Sequence, residues 1–453
     1  MNRPLPADPI FSTCFRAAPE PHRAAALPLV VIAMLGTVAL TQRHVDDYAA
    51  IVGDSRIADL KRLADPLKAV RLLSLSLALF GTWLTDLLSA STPLLQDLGV
   101  DADWRVVRPG QEFDAATRAL YEALNGASDR WTPEIRQRWD RLSSNTADLI
   151  EPRYDVIVVH DPQLLGLAAL RKPATNGRRV RWVWRSHLDL STADQPTWEA
   201  MRPYAEQYDL AIFDDRAFLP PGWQPARLAL IPPGIDPLGP RNAPLGEETA
   251  AMLARKLGID PDRPLIAQVS PFDEGSDAHG LIEAYDALQR QFPDLQLAIV
   301  PTWIRNDQST RDYFERVAEL ANKRPGCILL SQGAEIGSAE INAIQSVATL
   351  VVQKSLRKGY ALWLSEAMWK ERPVIAGRTA GTVAQIRDGE NGYLVTNTAE
   401  FIHRTAALLV DDARRREIGS NGRRYVADRF LITRYLGDVM VILGKLVGPE
   451  RSR

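Results

Sequence analysis

Short runs of continuous apolar residues recur along the chain, separated by stretches of helix length, and several of them end in polar groups. AVRLLSLSLALF (69–80), DWRVVRP (103–109), YDVIVVHDPQ (154–163), RVRWVWRSHLD (179–189), YDLAIFDD (208–215) and ARLALIPPGID (226–236) follow this plan. Runs this short and this apolar read as strands buried on both faces, the signature of parallel sheets covered by helices. Between them, LTDLLSASTPLLQDLG (84–99), closed by Gly99, and FDAATRALYEALNG (113–126) read as amphipathic helices. A Pro/Gly-rich boundary, PLGPRNAPLGEE, falls at 237–248. A second series follows, with strands at 264–272, 295–303, 327–333, 349–355, 372–378 and 392–395 and helices at 277–292, 311–324 and 341–347. Helices from 399 onward close the chain. The pattern predicts an α/β protein with two doubly wound, Rossmann-like domains facing a cleft. The expected division is a disordered 1–24, a first domain over 25–240, a second over 241–425, and a C-terminal helical segment, 426–453, packing back on the first domain.

Strand ends matter because ligands of open parallel sheets bind beyond the carboxyl ends of the strands. Three ends read HDP, RSHLD and PPGID. One polar strand end is an ordinary turn, whereas three with charged and imidazole groups predict a shared crevice.

The chain's 453 residues exceed what one core usually holds. A net charge of −2 gives no field to recruit nucleic acid or an anionic membrane. Two cysteines, Cys14 and Cys327, match neither a metal spacing nor a disulfide framework. A reducing cytoplasm is the expected compartment. Residues 24–40, AAALPLVVIAMLGTVAL, compete with that expectation as a signal peptide or a short membrane span. Pro28, Gly36 and the short length count against a span, and no small-x-small cleavage site follows. A buried strand and turn is the favoured alternative, so membrane association is not expected; a homodimer is compatible with all of this.

Several motifs resemble the two-domain retaining glycosyltransferases of family 4, which have the GT-B fold, and within them the trehalose synthases. They are HDPQLLGL (160–167), WRSHLDLS (184–191), PPGIDPL (232–238), FDEGSDAHGLIEAY (272–285), VVQKSLRKGYALWLSEAMWKERPVIAG (351–377) and DGENGYLV (388–395). The resemblance implies a nucleoside-diphosphate sugar as donor, a small sugar as acceptor, and transfer of a hexosyl group with retained anomeric configuration. No metal or other cofactor is expected, because no Asp-x-Asp motif occupies a cleft position. Fixed cations and backbone N–H groups can stabilise a departing diphosphate without one.

The donor side departs from the family pattern at four places. The first βα turn, G-G-G-V-A-E in the family, reads Gly81-Thr82-Trp83-Leu84-Thr85-Asp86. Trp83 is bulky where glycine permits close backbone approach. S-R-F-D-x-x-K becomes Ser270-Pro271-Phe272-Asp273-Glu274-Gly275-Ser276, without either cation. Of two glutamates eight positions apart, the first is Lys358 and the second, Glu366, is kept. A G-G-I turn reads Ala380-Gly381-Thr382. Lys358 therefore stands where the family keeps a catalytic acid, and no catalytic residue is assigned. It is either a substitute cation for the diphosphate or an exposed lysine of a turn.

The resemblance implies Gly81, Lys354, Lys358, Glu366 and Gly381 on the donor side, with Glu366 holding the ribose. His160, Asp161, Gln163, Arg185, His187 and Asp189 match the sugar-binding pattern. Each has a bland alternative: His160 a core imidazole, Arg185 and Asp189 an ion pair, Asp214-Asp215 a turn, and Trp363 and Trp369 core residues. The function expected is hexosyl transfer in the manner of trehalose synthase. The alternative is a catalytically impaired descendant that binds sugar or regulates.

Overall fold

Apolar runs without interruption bury both faces of a strand, and here they assemble two separate sheets. The computed structural model describes residues 34–77, 83–108, 110–160, 162–171, 179–304, 308–330, 336–354 and 359–448. The first sheet contains β1 (Met34–Thr37), β2 (Arg71–Leu77), β3 (Asp101–Arg108), β4 (Val156–Val159), β5 (Arg181–Arg185), β6 (Leu210–Phe213) and β7 (Leu228–Leu230). Their spatial order is β1-β3-β2-β4-β5-β6-β7, with β1 antiparallel to β3 and every other pair parallel. The second sheet contains β8 (Leu265–Phe272), β9 (Gln296–Ile304), β10 (Cys327–Leu329), β11 (Leu350–Gln353), β12 (Val374–Gly377) and β13 (Tyr393–Val395). It is wholly parallel, in the order β10-β9-β8-β11-β12-β13.

This order fixes where a ligand belongs. The first sheet reverses its direction of growth between β2 and β4, and the second between β8 and β11. A crevice opens at such a switch point, beyond the carboxyl ends of the strands. His160 directly follows β4, and Lys354 directly follows β11.

The last helix, Ile432–Val447, contacts the Asp54–Ala64 and Trp83–Asp97 helices of the first lobe. Its Leu436, Met440 and Leu443 join one apolar cluster with Leu72, Val156 and Ile212. Leu436 is fully buried, worth about 1.5–3 kcal/mol relative to an exposed leucine. The chain reaches this position by crossing the linker between the lobes. The Ile235 amide donates to the Phe430 carbonyl at 2.7 Å, and the Ile432 amide donates to the Ile235 carbonyl at 2.8 Å. A Cβ on Gly234 would lie 2.7 Å from the Leu431 carbonyl oxygen, so this crossing requires the glycine of PPGID.

Two expectations change here. The run at 226–236 gives a three-residue strand, because Pro232 and Pro233 have no N–H for a ladder. Within 24–40, Met34–Thr37 forms an edge strand, while 24–33 lies outside the described residues, as does the segment 1–24. Among the described residues, no helix is long and apolar enough to cross a membrane.

Candidate active site

The first-lobe wall of the crevice is built from the ends of β4, β5 and β6. His160, 3% exposed, stacks on His187 with ring centroids 5.6 Å apart. Its Nδ1 lies 3.3 Å from Nε2 of His187, so one ring donates and the other accepts. Burial pushes both imidazoles down. His187 falls to about 4, with the Arg185 charge acting the same way and Asp214 opposing. His160 falls well below its ordinary value, through burial and then His187 and Arg185. Both are therefore neutral at pH 7, each with one donor and one acceptor. Nε2 of His160 is buried without a hydrogen-bond partner.

Arg185 is placed differently from the expectation that it contacts sugar. It is 1% exposed, and its Nη2 lies 2.6 Å from Oδ1 of Asp214. The same nitrogen donates to the Ile231 carbonyl at 2.6 Å, and Nη1 donates to the Ser186 carbonyl at 3.3 Å. Asp214 is thus a buried counterion at the end of β6 rather than a turn residue, and its Oδ1 also lies 3.5 Å from Nδ1 of His187. Asp215 does serve the turn, accepting from the Ala217 amide at 2.8 Å. Asp189 is no partner of Arg185: its Oδ1 accepts from the Ser191 amide and hydroxyl at 3.0 and 2.6 Å. Gln163 is buried in the 3-10 segment Pro162–Leu170.

The second-lobe wall meets this one closely. A Cβ on Gly359 would lie 3.7 Å from both the Asp189 nitrogen and the His187 carbonyl oxygen. Gly381 packs behind it, where an added Cβ would sit 2.2 Å from the Gly359 carbonyl oxygen, so only glycine fits. Lys354 is 8% exposed, and its ammonium is held by the Asp277 carboxylate. Its backbone amide donates to Oε1 of Gln268 at 3.1 Å. Asp277 in turn caps the Ala278–Gln289 helix, accepting from the Gly280 amide at 3.1 Å. Trp363 and Trp369 are each 6% exposed and belong to the core, with Nε1 of Trp363 donating to Oε1 of Gln353 at 2.6 Å.

Glu366 lies on the helix Leu362–Trp369 and is 6% exposed. Its Oε2 is 3.5 Å from Nη1 of Arg241, whose Nε is 3.1 Å from Oδ2 of Asp86 on the first lobe. Trp83, Asp86, Asp236, Arg241 and Glu366 line one cavity. Trp83 also stands edge-on to His187, with ring centroids 4.7 Å apart, and so joins the two halves of the crevice. Asp86 is half exposed, yet the crevice walls surround it and push its carboxyl up to about 6. Arg241 opposes that rise, while Glu366 and Asp236 add to it.

Gly81, Asp161 and Lys358 lie outside the described residues. His160, His187, Asp189, Gly359 and Gly381 converge, as do Trp83, Asp86 and Glu366. Arg241 and Asp214 were missed. Arg241 carried one faint signal: it is the only charge in the linker 237–246. Asp86 carried another, as the acid closing the first βα turn motif.

Two largely parallel-sheet lobes with polar residues at both switch points are the architecture of the GT-B glycosyltransferases. Residues 77–220 match the family described as trehalose synthase, N-terminal domain, and 252–425 match glycosyl transferases group 1. The trehalose synthase of Rubrobacter xylanophilus is 33% identical over 420 residues, covering 92% of this chain and 100% of its own. That of Thermococcus litoralis is 30% identical over 396 residues, covering 87% and 95%. Among solved structures, an α,α-trehalose-phosphate synthase (UDP-forming) from Burkholderia vietnamiensis superposes with a TM-score of 0.64 at 16% identity, covering 83% of this chain and all of that one. The Anabaena protein HepE, solved with UDP and glucose, gives 0.61 at 15% identity, again covering 83% and 100%. The chain belongs to the trehalose synthase family of glycosyltransferases.

Proposed function

We propose that this protein transfers a glucosyl group from a nucleoside diphosphate to a small sugar, retaining the anomeric configuration, as its family resemblance implies; its relatives are named trehalose synthases. The observation that carries this reading is the meeting of neutral His160 and His187 with the Trp83, Asp86 and Glu366 cavity. Neutral imidazoles pair with hydroxyl groups without imposing charge, and carboxylates accept from hydroxyl pairs. The anomeric carbon's bond to the diphosphate oxygen breaks, a bond to the acceptor oxygen forms, and the acceptor proton leaves with the diphosphate. Glu366 would hold the donor's ribose, and the His160–His187 wall the sugars. A two-cysteine chain of near-neutral charge fits a cytoplasmic setting.

One observation favours a second reading, a sugar-binding protein without transfer activity. Lys354 is already neutralised by Asp277, and Pro271 and Ser276 stand where the family has cations. Losing one such stabilising contact costs about 10²–10³ in rate. Thermal unfolding with UDP, ADP and GDP, then with glucose and trehalose, separates the two. The enzyme reading expects a nucleotide to raise the melting temperature. Stabilisation by sugars alone supports the second reading.

A further inference from the structure

We infer that Asp86 is a second diol-binding carboxylate beside Glu366, and that Arg241 is the positioning residue that holds the pair. The inference rests on the sugar-transfer reading and deepens it, since that reading assigns ribose to Glu366 alone. Two carboxylates from different lobes reach one guanidinium: Asp86 from the Trp83–Asp97 helix at 3.1 Å, and Glu366 from the Leu362–Trp369 helix at 3.5 Å. Oε2 of Glu366 is buried and, beyond its ion pair with Arg241 at 3.5 Å, has no hydrogen-bond partner within the protein. A buried acceptor left unmade is costly, and a donor from a ligand removes that cost.

The backbone that carries Arg241 is held in place. Nδ2 of Asn342 donates to the Pro240 and Ala243 carbonyls at 3.0 and 2.8 Å, fixing the backbone on both sides of it. The next residue, Asn242, accepts from Nζ of Lys370 at 3.1 Å and donates to the Asp236 carbonyl at 3.0 Å. A guanidinium carried on a fixed backbone therefore sits between two carboxylates of the same cavity.

The charge of the cavity narrows the ligand. Arg43 and Arg241 give +2, and Asp86, Asp236 and Glu366 give −3, for a net −1 with Asp86 ionised. Arg43 is already bound to Asp236 at 2.6 Å. This surroundings suits a neutral group rich in O–H donors rather than an anion. A vicinal diol supplies two such donors, and the Trp83 ring supplies an apolar wall beside it. Ribose and a hexose both carry this diol, and the two sources are separated by experiment.

The test is calorimetric titration of the wild type, Asp86→Ala and Asp86→Asn. Titrants are a ribonucleoside diphosphate, its 2′,3′-dideoxy analogue, glucose and trehalose. Asp86 is half exposed, so its removal leaves the core intact, and a melting curve checks this. With ribose as the source, the wild type prefers the ribonucleotide by about 10–100-fold, and Asp86→Ala lowers that ratio about tenfold. With hexose as the source, Asp86→Ala weakens glucose or trehalose about tenfold and leaves the nucleotide ratio unchanged. Asp86→Asn, which keeps one acceptor, falls between in either case. A merely structural role for Asp86 would shift all titrants alike. The inference is overturned if Asp86→Ala leaves every ratio unchanged, shifts all titrants equally, or if no diol-bearing titrant binds the wild type. Diol selectivity without any glycosyl transfer leaves this inference standing and removes the transfer reading.

Discussion

The two walls of the crevice handle buried charge in opposite ways. On the first lobe, Arg185 and Asp214 neutralise each other inside the lobe at 1% and 0% side-chain exposure, and the adjacent imidazoles stay neutral. On the other side, charge is balanced across the gap, with Asp86 and Glu366 sharing Arg241 from the linker. A pair closed within one lobe fixes a wall. A triad shared between lobes ties the walls to each other and still exposes half of one carboxylate to incoming groups. The contrast implies that breaking the Arg185–Asp214 pair acts mainly on stability, and that substitutions in the triad act mainly on ligands.

The strongest break of that contrast is Asp214→Ala. It strands Arg185 in the core, and urea unfolding should show a loss of about 3–5 kcal/mol. A loss below about 1 kcal/mol would mean that the Ile231 and Ser186 carbonyls suffice for the guanidinium.

Acid is the next test. The folded-state values of His160 and His187 lie below their unfolded ones, so the unfolded chain binds protons first as pH falls. The contribution of His187 is complete above about 6.5 and is lost as pH falls through about 4, and that of His160 is lost in the same direction. His187→Asn should flatten the stability-versus-pH curve in that window, by on the order of 3 kcal/mol. An unchanged slope contradicts the neutral first wall.

Asp277→Ala should have the smallest stability effect, about 1 kcal/mol for a lost helix cap. It should also release the Lys354 ammonium and tighten binding of inorganic pyrophosphate severalfold by titration. No gain would show that Lys354 does not face the donor.

Most of the scaffold was legible in the sequence, because a strand buried on both faces must be apolar throughout. β2, β4, β8 and β11 stand out for that reason, and the switch points follow from their order. The crevice was legible only where polar residues interrupted such runs, as at His160 and His187. Arg185 looked like a ligand group, but its partner Asp214 is supplied by a different strand, and pairing between strands leaves no mark in local pattern. Arg241 was hidden for a related reason. A linker signals its turns through Pro and Gly, whereas the backbone around its one charged residue is held by Asn342 and Lys370, both about a hundred residues or more away. The stretch VDDYAAIVG (45–53) falls within the family resemblance, yet nothing local in it marks the hydrogen bond from Tyr48 to Asp236.

The most direct measurement is proton NMR of the protein incubated with glucose and, in turn, UDP-, ADP- and GDP-glucose. One donor is expected to yield a new α-anomeric signal from a retained α linkage, lost in Glu366→Ala. Binding of every donor without any new anomeric signal would contradict a transfer site in this crevice.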